Sequence, residues 1–145
     1  MLIIGCGNLQ RGDDAAGVLV AQQLRSLGVE AKICGGEASE LLDAWSRAED
    51  VLVIDAVVTG APAGTVHRWN NPDSITFGKS VASTHGFGLA EAVGLALAIK
   101  RLPASLCICG IEGKNFAIGT AVSPEVKSAV DEVVKAIAVE MKVKR

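Results

Sequence analysis

The run Gly5-Cys6-Gly7-Asn8-Leu9-Gln10-Arg11-Gly12-Asp13-Asp14-Ala15-Ala16-Gly17 places two adjacent carboxylates behind a glycine-rich turn, directly after an apolar N-terminal segment. Such turns between a strand and a helix usually cradle phosphate, because free backbone N–H groups and the helix N-terminus attract anions. Gly7 to Gly12 has the spacing of a phosphate loop, yet Asp13-Asp14 stands where its Lys and Ser/Thr would be. A dinucleotide fingerprint fails as well, since its third glycine falls on Gln10. The sign of the site is reversed, and it suits a cation or a protonated group. A second reading fits the same residues: Asp13 caps the following helix and Asp14 favours its positive end.

Asp55 follows the wholly apolar run Val51-Leu52-Val53-Ile54. A carboxylate there is costly unless a cation or a set of donors meets it; backbone N–H groups of a loop would serve equally. His85, in Ser83-Thr84-His85-Gly86, precedes an apolar helical stretch. Together Asp14, Asp55 and His85 offer an oxygen, oxygen, nitrogen set fitting nickel, manganese or zinc with positions left open. Glu37 and Glu112 are candidates for groups that orient such ligands. His67 reads as a strand-surface residue without acidic company. No G-x-S-x-G elbow, HExxH helix or CxxC pair occurs, so hydrolysis would rely on the acidic cluster or a metal to activate water. Cys6, Cys34, Cys107 and Cys109 read as small buried hydrophobes in a reducing compartment.

The elements that must position these residues follow from the hydrophobic pattern. Strands are expected at 1–5, 29–34, 51–54, 64–69 and 106–111, the third ending at Asp55. Helices are expected at 14–27, 38–48 and 88–101 and from Ser123-Pro124 onward, where Val126, Val130, Val133, Ile137 and Met141 form a stripe. The helix at 88–101 is apolar almost all round, so it should be buried on two sides or face a partner. Strands alternating with helices imply an α/β fold: one three-layer α/β/α domain over 1–145, with a mainly parallel, twisted sheet. Ligands in such folds bind beyond the carboxyl ends of the strands, where strand order reverses. Those ends carry Asn8, Asp13, Asp14, Glu37, Asp55 and Glu112.

The chain has 145 residues, half of them hydrophobic, and a formal net charge of −2. That supports one core and gives no electrostatic footprint for nucleic acid. No apolar run reaches the roughly 18 residues of a membrane span. The chain opens within its first strand, which leaves no room for a leader, and a cytoplasmic, monomeric protein is expected.

In this order the motifs resemble the hydrogenase maturation endopeptidases, which trim the C-terminal extension from the large subunit of nickel-iron hydrogenases. The resemblance rests on Gly5-x-Gly7-Asn8 with Asp13-Asp14 and Gly17, on Val53-Ile54-Asp55-Ala56, on Ser83-Thr84-His85, on Gly110-Ile111-Glu112 and on Val122-Ser123-Pro124. It implies a five-stranded sheet between helices, with the family's nickel-contacting residues falling on Asp14, Asp55 and His85. It further implies that nickel already installed in the large-subunit precursor is the recognition element. Asp14 has one methylene less reach than the Glu of some members, and Gly113-Lys114-Asn115 stands where a proline-containing turn is expected. A competing reading keeps the same cluster in a non-catalytic module that checks a partner's metal.

Overall fold

Three apolar runs around Ile3, Val53 and Ile108 form the middle of the sheet, since strands covered on both faces must be apolar throughout. The computed structural model describes residues 1–35, 37–71 and 87–143. In chain order it contains β1 (Leu2–Cys6), a 3-10 turn (Gly12–Ala15), α1 (Ala16–Ser26), β2 (Lys32–Cys34), α2 (Ala38–Trp45), β3 (Asp50–Val57), β4 (Val66–Asn70), α3 (Phe87–Ala98), β5 (Ser105–Glu112) and α4 (Pro124–Val143). The strand order is β2-β1-β3-β5-β4, with β4 antiparallel to β5 and the other pairs parallel.

Side chains alternate across the sheet. Ile3, Leu52, Ile54 and Ile111 pack with Val20 and Leu24 of α1 and Val130 and Ile137 of α4. On the opposite face Ile4, Val53, Val57 and Ile108 meet Leu41 and Trp45 of α2 and Ala92, Val93 and Ala96 of α3. The three-layer α/β/α arrangement with a five-stranded, mainly parallel sheet is therefore realised. From β1 the chain passes outward to β2 and then returns to β3 on its other side, so the crevice where strand order reverses lies between β1 and β3.

Several boundaries move. β2 is only three residues long, and α1 starts at Ala16, because Asp13 and Asp14 lie in the tighter turn before it. β3 runs on to Val57, which places Asp55 inside the strand rather than at its end. α3 is not buried all round: Leu95, Leu97 and Ile99 just beyond it are about half exposed.

The crevice depends on a backbone-to-backbone contact. A Cβ on Gly17 would collide with the carbonyl oxygens of Ile54 and Cys6, and one on Gly5 with the carbonyl of Gly17 and the Cβ of Ala21. The first turn of α1 thus rests directly on β1 and β3, holding the preceding turn over their ends. A second tie comes from Asp13, which is fully buried. Its carboxylate accepts the N–H groups of Lys114 (2.9 Å), Asn115 (3.1 Å) and Ser123 (2.7 Å) and the Ser123 hydroxyl (3.0 Å). Its own N–H donates to the Asn115 carbonyl at 2.8 Å. Asp13 therefore clamps the β5–α4 connection onto the turn and makes no helix cap. Burial pushes its pKa up, but the donors at Lys114, Ser123 and Asn115 outweigh burial and hold it below the usual aspartate range.

Gly17→Ala should cost about 3 kcal/mol or more, because rigid backbone on two strands must give way; urea unfolding measures it. Asp13→Asn should cost roughly 2–4 kcal/mol at neutral pH, since an amide nitrogen then faces N–H donors. A lowered folded-state pKa contributes stability that is complete above the ordinary aspartate value and lost as pH falls through the folded one. The variant should accordingly lose less stability than the wild type over that acidic range in pH-dependent melting.

Candidate active site

Asp14 and Asp55 come together at the β1/β3 crevice. Asp14 is carried by the turn, whose backbone is fixed by the Asp14 N–H on the Arg11 carbonyl (3.0 Å) and the Asn8 N–H on the Asp14 carbonyl (3.3 Å). Asp55 lies on β3 in register with Gly110 of β5, on the sheet face covered by α2 and α3. It is 4 % exposed, and its Oδ1 accepts the N–H of Ala56 at 2.8 Å. Burial is the main reason that its pKa stands well above the usual range; the neighbouring charge of Asp14 raises it further, against a smaller lowering by the Ala56 N–H. The ionised form of Asp55 is thus disfavoured in the free protein, a penalty that a bound cation would offset. The Cys6 thiol beside it is raised by burial and then by Asp55, and Cys34 is pushed up to about 11 by burial and Glu40, so both thiols stay protonated.

His85 lies outside the described residues. Among the described residues no three His, Cys, Asp or Glu side chains are gathered for a metal. Asp14 and Asp55 thus supply two oxygens of the three-residue set, one half-buried and one almost wholly buried, and both chemically suit a divalent cation. Asp13 is committed to the clamp. Glu37 is exposed at the start of α2 and makes no capping bond.

His67 does not stand alone on its strand. Its Nε2 lies 3.0 Å from Oε1 of Glu112, and its ring stacks on Trp69 with centroids 5.2 Å apart. Glu112 is 2 % exposed and also accepts the Thr59 N–H (2.8 Å) and hydroxyl (2.7 Å). Burial raises its pKa, but donation from Thr59, His67 and the Gly60 N–H outweighs that and keeps it below the usual range. The pairing was legible in one respect: a carboxylate closing an apolar strand, the reasoning that singles out Asp55, applies equally to Glu112. The position of His67 opposite it required the antiparallel register of β4, in which Val66 faces Ile111 and His67 faces Gly110.

The chain matches the family model for hydrogenase maturation protease over residues 32–140. It is 28 % identical over 137 residues to the hydrogenase expression/formation protein HupD of Thiocapsa roseopersicina, an alignment covering 90 % of this chain and 62 % of HupD. The chain thus spans less than two thirds of that relative. The fold is similar to the [NiFe] hydrogenase maturation protease HybD from Thermococcus kodakarensis, with TM-score 0.78 and 26 % identity over 97 % of both chains. It is also similar in fold to the hydrogenase maturating endopeptidase HybD from E. coli, with TM-score 0.79 and 20 % identity over 99 % of this chain and 92 % of that one. The turn bearing Asp14 precedes the part matched by the family model, but both structural likenesses cover nearly all of this chain. With the family model matching most of its length, the chain belongs to the hydrogenase maturation protease family.

Proposed function

We propose that this protein is a cytoplasmic endopeptidase that removes the C-terminal extension of a nickel-iron hydrogenase large-subunit precursor once nickel has been inserted. Nickel belongs to the substrate in this reading, and Asp14, Asp55 and His85 are the residues that read it. The supporting observation is the pairing of Asp14 with a buried Asp55, whose pKa burial and the Asp14 charge both raise, at the β1/β3 crevice. Two carboxylates in such proximity cannot both ionise cheaply in the free protein. A divalent cation removes that penalty, so the site favours a metal-loaded partner over an empty one. The four free cysteines fit a reducing compartment.

Intact-mass analysis of a matched large-subunit precursor, nickel-loaded and nickel-free, tests this directly. Loss of a C-terminal peptide from the loaded form alone is the expected outcome. Binding of the loaded precursor with no change in its mass would instead support a metal-checking module. Asp55→Asn should reduce processing at least about 100-fold, yet the variant should melt a few degrees higher than wild type at neutral pH. The sign follows from linkage: a raised folded-state pKa contributes stability below the unfolded value that is lost as pH rises through the folded one, and a neutral amide escapes that loss. Calorimetry across this pH range checks it.

A further inference from the structure

We infer that His67, oriented by Glu112, is the proton-transferring catalytic residue of this site. The inference rests on the endopeptidase reading above. Asp55, Gly110 and His67 occupy one row across β3, β5 and β4. Because β3 and β4 both flank β5, Asp55 and His67 are separated by roughly two strand spacings, about 10 Å. Gly110, between them, has no side chain, and its place is taken from either side: a Cβ there would meet the Trp69 ring at 2.7 Å and the Val57 methyls at 2.9 Å. Asp55 and His67 therefore lie on one sheet face, with the Trp69 ring and the Val57 methyls packed over the glycine between them. A partner whose metal is read by Asp55 would need to bring its scissile carbonyl about 10 Å further along the same face to meet His67.

The hydrogen bonding of the ring dictates what it can do. Glu112 is buried and ionised, accepting two bonds from Thr59 in addition to its contact with His67. A carboxylate can only accept, so Nε2 carries the hydrogen and the lone pair of the neutral ring resides on Nδ1. Nδ1 has no hydrogen bond among the described residues, and the side chain is 22 % exposed. The Trp69 stack and the Glu112 bond fix the plane of the ring. A buried carboxylate that sets the tautomer of a half-exposed histidine is the arrangement required of a general base. The Thr59 hydroxyl, 3.4 Å from Nε2, and Glu112 are the polar side chains that meet the ring among the described residues, and only Glu112 of these is charged.

In the step assigned to it, Nδ1 takes a proton from water as the water oxygen forms a bond to the scissile carbonyl carbon, and the carbonyl π electrons move onto its oxygen. When the C–N bond breaks, the electron pair re-forms the carbonyl and the proton held on Nδ1 passes to the departing amine nitrogen. One water is consumed, and a carboxylic acid and an amine result.

Processing of the nickel-loaded precursor by wild type, His67→Gln, His67→Ala and Glu112→Gln tests the assignment, with melting curves for each. His67→Gln should keep its melting temperature and its affinity for the loaded precursor, lose at least about 100-fold in kcat and lose the acidic limb of the kcat–pH profile. Added imidazole should restore part of the activity of His67→Ala. Glu112→Gln should lower kcat about 10-fold or more without changing the affinity for the loaded precursor, because the carboxylate that orients the ring is gone. Wild-type cleavage by His67→Gln, or a loss that imidazole does not rescue and that follows a fall in melting temperature, would overturn the assignment while leaving the endopeptidase reading intact. Failure of wild type to cleave a matched, loaded precursor would remove both.

Discussion

The crevice rests on a contact between pieces of backbone. At Gly5 and Gly17 the first turn of α1 lies against β1 and β3 with no side chain between them. Helix and sheet ordinarily stand about 10 Å apart because side chains fill the space. Here that distance collapses, and the segment just ahead of α1 is drawn down over the strand ends. Asp14 is brought to Asp55 by this contact and not by any attraction between the two carboxylates, whose charges oppose each other. The site is held in an electrostatically unfavourable state by steric means.

The sheet face under α2 and α3 carries two buried carboxylates with opposite proton affinities. Asp55 has one backbone donor on Oδ1 and a like charge nearby, so burial prevails and its pKa is raised. Glu112 has the hydroxyl and N–H of Thr59 together with His67, so hydrogen bonding prevails and it stays ionised. Burial is common to both, and the number of donors decides the outcome. Environments that push the pKa values of similar groups apart in this way give two carboxylates on one sheet face different chemistry.

Much of the fold was legible in the sequence because apolar runs and the two helical stripes specify a parallel sheet with little ambiguity. Asp55 was legible for a related reason: an acid inside four apolar neighbours demands an explanation. What escaped was whatever depended on pairing between distant segments. β2 is three residues long because only Lys32 to Cys34 find partners on β1, although alternation extends further back. Asp13 looked like a helix cap because its four acceptor contacts come from residues a hundred positions away. His67 looked like a surface residue because nothing near it in sequence is acidic, whereas its partner lies 45 residues on.

The separation between Asp13 and Ser123, 110 residues along the chain, bears on how the protein comes to have a site at all. β1 and α1 are complete within the first 26 residues, but the turn between them lacks its tie until the β5–α4 connection arrives. On a chain emerging in order, the turn that carries Asp14 lacks this tie until residues 114 to 123 have been made. The crevice becomes organised as one of the last events of folding, after the sheet that carries it. A partly made chain can therefore be extensively folded and yet unable to engage a partner.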